Sequence, residues 1–138
     1  MTLIVYFEKS REILNIVAKY QKDFSAEVYK IETTSPIGFM TKLKNQMVDI
    51  KRCNLNLQGY DNIILISSLW HNEVPTPIIR FLEQSTGRIR NITYVLYNHN
   101  KEDKPDEFDK MDRILNLKRN KSFFVTINKK EINVRVYQ

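Results

Sequence analysis

Asn62-Ile63-Ile64-Leu65-Ile66-Ser67 decides how the rest of the chain is read. It is β-branched, apolar at consecutive positions and bounded by polar residues. That combination suits a central parallel strand covered on both faces, not a half-exposed strand, which would alternate. Downstream, a loop from Ser68 leads to Pro77-Ile78-Ile79-Arg80-Phe81-Leu82-Glu83-Gln84, a helix with proline near its first turn. Upstream, Leu3-Ile4-Val5-Tyr6-Phe7 is a second run of the same continuous apolar kind.

Working outward, strand and helix patterns alternate. Ile13, Ile16, Val17 and Tyr20 fall on one helical face behind Ser10, a candidate N-cap. Ala26 to Ile31 supplies the next strand. Ser35 before Pro36 reads as a cap, and Phe39, Met40, Leu43, Met47 and Ile50 predict a second amphipathic helix. Asn54 to Tyr60 is a polar loop. Ile92 to Leu96 is a fourth strand. Pro105-Asp106-Glu107 opens a fourth helix with Phe108, Met111 and Leu115 on one face, and Phe123 to Ile127 is a fifth strand. Ile132, Val134 and Val136 then alternate with polar neighbours after the short connection Asn128-Lys129-Lys130-Glu131, which predicts a terminal hairpin.

Such an order implies a single α/β domain over residues 1–138, doubly wound, with a five-stranded parallel sheet in the order 2-1-3-4-5. A C-terminal β-hairpin stands in place of a last helix. Ligands in such sheets sit beyond the carboxyl ends of the strands, at the switch point. The expected site is therefore built from three loops: Glu8 to Ile13, Ser67 to Pro75 and Tyr97 to Lys101.

The charge is +6, with 12 basic against 7 acidic residues from Arg88 onward. That suits an acidic protein partner or simply a solvated surface; no RNA-binding aromatic signature or zinc-finger spacing points to nucleic acid. No apolar run approaches a bilayer span, the N-terminus carries no signal-peptide pattern, and the single Cys53 suits a reducing compartment. The expectation is a cytoplasmic protein without a membrane segment. Cys53, His71 and His99 show no metal-ligand spacing, G-x-S-x-G and G-x-x-x-x-G-K-[ST] are absent, and no catalytic residue is assigned.

Tyr60-Asp61-Asn62-Ile63-Ile64-Leu65-Ile66-Ser67-Ser68-Leu69-Trp70, followed by Val74-Pro75 and Ile78-Ile79-Arg80-Phe81-Leu82-Glu83, resembles the flavodoxin family. Its members read Y-D-x-I-I-x-G-S-P-x-W and then a proline-rich turn into I-x-x-F-L-E. The likeness covers roughly residues 2 to 97. Val5-Tyr6-Phe7 and Val74 to Leu82 are more distantly similar to the small flavodoxins that activate class Ib ribonucleotide reductase. The resemblance implies FMN held at the three loops and electron transfer through the flavin. It places contacts at Lys9, Ser10 and Arg11, at Ser67, Ser68, Leu69, Trp70 and His71, and at Tyr97, Asn98 and His99. Trp70 falls where flavodoxins set an aromatic against the flavin ring; packing into its own loop is the other reading.

The phosphate loop departs from the family's S/T-x-T-G-N-T. Here it is Glu8-Lys9-Ser10-Arg11-Glu12-Ile13, in which only Ser10 keeps a hydroxyl and no glycine remains. Tyr97-Asn98-His99-Asn100 replaces a glycine-rich third loop. Two readings therefore stand: a flavin-binding redox module with an altered phosphate site, and a cofactor-free protein of the same fold acting through protein–protein contact. The missing last helix leaves apolar residues of strands three to five open, which predicts a homodimer or another protein partner on that face.

Overall fold

The computed structural model describes residues 1–129 and 131–138; Lys130, part of the expected hairpin connection, lies outside the described residues. Strands β1 (Thr2–Phe7), β2 (Glu27–Ile31), β3 (Asn62–Ser68), β4 (Ile92–Tyr97), β5 (Lys121–Asn128) and β6 (Glu131–Tyr137) form one sheet in the order β2-β1-β3-β4-β5-β6. The first five are mutually parallel, and β6 returns antiparallel along β5. The α/β fold is thus the flavodoxin-like doubly wound sheet with a terminal hairpin, as the sequence pattern implies. Its four α-helices among the described residues are α1 (Arg11–Phe24), α2 (Phe39–Lys44), α3 (Thr76–Ser85) and α4 (Asp106–Leu115).

The strand alternation assigns side chains to two cores. On one face, Leu3, Val5, Ile63, Leu65, Tyr94, Leu96 and Phe124 pack with Ile78, Phe81 and Leu82 of α3 and Phe108 and Met111 of α4. On the other, Ile4, Tyr6, Ile64, Ile66, Val95 and Val125 meet Ile13, Ile16, Val17 and Tyr20 of α1. Each such aliphatic or aromatic side chain removed from water contributes about 1.5–3 kcal/mol, so the two layers fix the register of β1 and β3. No helix among the described residues is long and apolar enough to cross a membrane.

The expected second helix is the main correction. It ends at Lys44, has no buried residue, and begins at Gly38 without a side-chain cap, so Ser35 does not cap it. Asn45 stops it in the left-handed region at φ 47°. Its side chain then turns to α3, where Nδ2 donates to the Val74 carbonyl at 2.9 Å and the Thr76 N–H donates to Oδ1 at 3.0 Å. Beyond it the chain runs extended. The Thr34 N–H donates to the Asp49 carbonyl and the Lys51 N–H to the Glu32 carbonyl, so Ile50 is buried from a bridge rather than a helix.

The open face is also narrower than expected. Ile64, Ile66 and Val95 are fully covered, so β3 and β4 are not exposed there. The uncovered apolar surface lies further out, on the β5–β6 hairpin, where Val134 is 39% and Val136 65% exposed.

Candidate functional site

At the carboxyl ends of β1, β3 and β4 the loops converge as the topology requires. A type I′ turn follows β3: Trp70 and Glu73 exchange backbone hydrogen bonds at 2.7 and 3.0 Å, with His71 and Asn72 at φ 50° and 66°. Asn72 Oδ1 accepts from Nδ2 of Asn98 at 3.0 Å and of Asn100 at 3.1 Å, tying this turn to the loop after β4. Asn98 Nδ2 also donates to the Glu102 carbonyl at 2.9 Å.

Glu8, directly after β1, holds the centre. It sits at φ 73°, a left-handed conformation that costs a non-glycine residue about 1–2 kcal/mol. One carboxylate oxygen accepts from the Trp70 indole Nε1, and the other meets Lys42 Nζ of α2 at 3.0 Å. Trp70 also packs edge-on against Phe7, with ring centroids 5.6 Å apart. At 4% exposure the indole is a cavity floor, not a free stacking face.

Two cavities open on either side of this strut. One, of about 480 Å3, is lined by Phe39, Lys42 and Leu43 of α2 together with Ser68, Leu69, Trp70, His71, Asn98, His99 and Asn100. The other, about 680 Å3, lies over β1 and β2 and takes in Lys9, Ser10, Lys30, Thr33 and Ile37. Glu8 and Lys42 belong to both walls. At the start of α1 the Ser10 hydroxyl accepts from the Ile13 N–H at 3.1 Å and its carbonyl from the Leu14 N–H at 3.0 Å. The Arg11 and Glu12 N–H groups have no intrahelical acceptor, which gives this terminus a partial positive charge.

The residues expected at the site divide accordingly. Lys9 and Ser10 share one cavity, and Ser68, Leu69, Trp70, His71, Asn98 and His99 the other. Arg11 instead lines a separate cleft with Asn15, Ile127 and Ile132. Ser67 is fully buried and donates to the Ser68 carbonyl. Tyr97 packs at the rim of the α1 core, with its ring edge-on to His99 at 5.0 Å between centroids. Burial, and secondarily the charge of Glu12, raises the Tyr97 phenol above its ordinary range.

Glu8 and Asn72 fall within the expected loops without having been assigned a contact, whereas Phe39, Lys42 and Leu43 lie outside all three. Those three belong to α2, which follows the connection leaving the carboxyl end of β2, the strand beside β1. Among the described residues no group of acidic, histidine and cysteine side chains is placed to hold a metal ion.

The donor set fits a planar aromatic ligand with an anionic tail. The 480 Å3 cavity offers Phe39, Leu43, Leu69 and two imidazoles to a ring. The neighbouring cavity offers Lys9, Ser10 and Lys42 to an anion, beside the carboxylates of Glu8 and Glu32.

No protein-family model matches the sequence, and no curated protein sequence matches it. Solved structures do share the fold. A putative flavoprotein from Bacteroides uniformis superposes with a TM-score of 0.77 at 13% identity, over 94% of this chain and 92% of its own. One from Bacteroides eggerthii gives 0.76 at 14% identity, over 94% and 90%. A flavoprotein from Lactobacillus acidophilus, crystallised in complex with FMN, gives 0.69 at 16% identity, over 83% and 85%. The chain has the flavodoxin-like fold that these flavoproteins share.

Proposed function

We propose that the protein is an FMN-binding electron-transfer module with an altered phosphate site, acting in the cytoplasm. One observation carries the reading. An open cavity of about 480 Å3, walled by apolar and imidazole side chains, lies at the switch point of this sheet. The ring of the flavin is assigned to that cavity, against Leu69, Trp70, His71 and His99. Its phosphate is assigned to Ser10 and Lys9 at the start of α1, where charge-assisted hydrogen bonds replace the glycine loop. When bound, the flavin supplies the redox chemistry; the chain's own residues bind and orient it. The +6 charge steers the module towards acidic protein partners, unlike acidic carriers that dock on basic faces.

Trp70 is the only tryptophan and lines the cavity, so its emission tests this directly. Titration with FMN should quench it saturably and with one-to-one stoichiometry. Emission unchanged by FMN, beyond absorption by the free dye, contradicts the assignment.

A second reading keeps the fold without a cofactor. It is favoured by the strut itself: the Trp70 N–H and the Asn98 amide already have protein partners, and Glu8 sets a carboxylate beside the phosphate position. In that case the cavity mouth and the exposed Phe39, Met40 and Leu43 serve protein–protein contact.

A further inference from the structure

The β5–β6 hairpin carries a feature independent of the switch-point site. Phe123, Val125 and Ile127 of β5 stand directly opposite Val136, Val134 and Ile132 of β6. All six lie on the α1 face, since Val95 and Tyr97 pair with Phe123 and Val125 there. The α1 helix packs on β1 and β3, and exposure on this face rises outward from Val125 at 1% to Val136 at 65%. Among the described residues no strand lies beside the outer side of β6.

Edge strands are ordinarily guarded by a charge on the apolar face, a bulge or a proline. The opposite edge, β2, follows that rule, with Lys30 on the α1 face beside Tyr6. β6 has none of these devices. Its pairing with β5 is continuous from Glu131 to Tyr137, and its charged Arg135 is turned to the other face, bound by Asp103 at 2.6 and 2.7 Å.

We propose that β6 pairs antiparallel with β6 of a second copy of this chain, about a two-fold axis through Val134. The sequence Glu131-Ile132-Asn133-Val134-Arg135-Val136-Tyr137 is self-complementary in that register. Val134 faces Val134, Ile132 faces Val136, Asn133 faces Arg135 and Glu131 faces Tyr137. No like charges meet, and the apolar stripes of both hairpins become one surface. An axis at Arg135 sets two guanidinium groups against each other. An axis at Asn133 pairs only Glu131 to Arg135 and leaves Val136 exposed.

Sedimentation equilibrium on the intact chain should show a dimer. Val134→Lys, which brings two ammonium groups together at the axis, should weaken dimerisation at least tenfold while leaving the far-UV circular dichroism unchanged. Val134→Cys supplies a milder readout of the register. Directly opposed Cβ atoms lie about 4.5–5.5 Å apart, near enough for a disulfide with little adjustment. Mild oxidation should therefore cross-link that variant, while Val136→Cys, which faces Ile132, should not cross-link; the native Cys53 is buried. A monomeric chain, a dimer indifferent to Val134→Lys, or equal cross-linking of the two cysteine variants overturns the proposal.

Discussion

The Trp70 indole N–H donates to the carboxylate of Glu8, joining the loop after β3 to the residue that ends β1. Through its other oxygen the same carboxylate holds Lys42, so β1, β3 and α2 meet on one side chain. In the loop to which the flavodoxin resemblance assigns a phosphate, the protein has a carboxylate of its own. The consequences for stability and binding are measurable.

Glu8→Gln keeps an acceptor for the indole and removes the charge. Coulomb repulsion between a carboxylate and a nearby phosphate is on the order of 1 kcal/mol when solvent-screened. FMN affinity should therefore rise about fivefold. A flavin fluorescence titration checks this, and weaker binding by the variant would show that the charge does not oppose the ligand.

Asn45 ends α2 and caps α3 with the same side chain. Asn45→Gly keeps the left-handed backbone and loses only the side-chain bonds; Asn45→Ala loses both. Urea midpoints should place the Ala variant about 1–2 kcal/mol below wild type. The Gly variant should fall between them.

Phe39 is 77% exposed and contributes little to folding. Phe39→Ala should change stability by less than about 0.5 kcal/mol. Because Phe39 walls the proposed ring cavity, FMN binding should still weaken severalfold in an isothermal titration. Unchanged affinity would move the ring away from α2.

Asp103 accepts from the Arg135 guanidinium at 2.6 and 2.7 Å and from the Tyr137 hydroxyl at 2.5 Å, clasping the loop after β4 to β6. The Arg135 hydrogen bonds are the main cause that holds its carboxyl below the usual carboxylate range. A depressed carboxyl stabilises the fold above the unfolded-state value of about 3.9. That contribution is lost as pH falls through the lower folded value. Asp103→Asn should thus cost about 1 kcal/mol at neutral pH, the range of a partly exposed pair. The gap to wild type should close on acidification below pH ~4, as followed by urea unfolding at successive pH values.

The sheet was legible because its signal is local. Ile63 to Ile66 and Leu3 to Phe7 are continuous apolar runs, and only strands covered on both faces have reason to be so. The second helix misled because Met47 and Ile50 keep helical spacing while Asn45 answers to a tertiary demand, the N-terminus of α3. Periodicity contains nothing about that partner. At the site, Ser10, Trp70 and Asn98 were named from loop position and the flavodoxin resemblance, and all three line the cavities there. Glu8 was overlooked because its role comes from a backbone at positive φ that turns its carboxylate to Trp70 and Lys42, contacts 62 and 34 residues away in the chain.

Retention of FMN is tested most simply by a visible absorption spectrum of the purified protein after incubation with excess FMN and desalting. Flavin bands should remain with the protein in near-equimolar amount, and Ser10→Ala with Lys9→Ala should reduce them. A colourless protein after desalting would contradict FMN retention at this site and leave the fold to act through its surfaces.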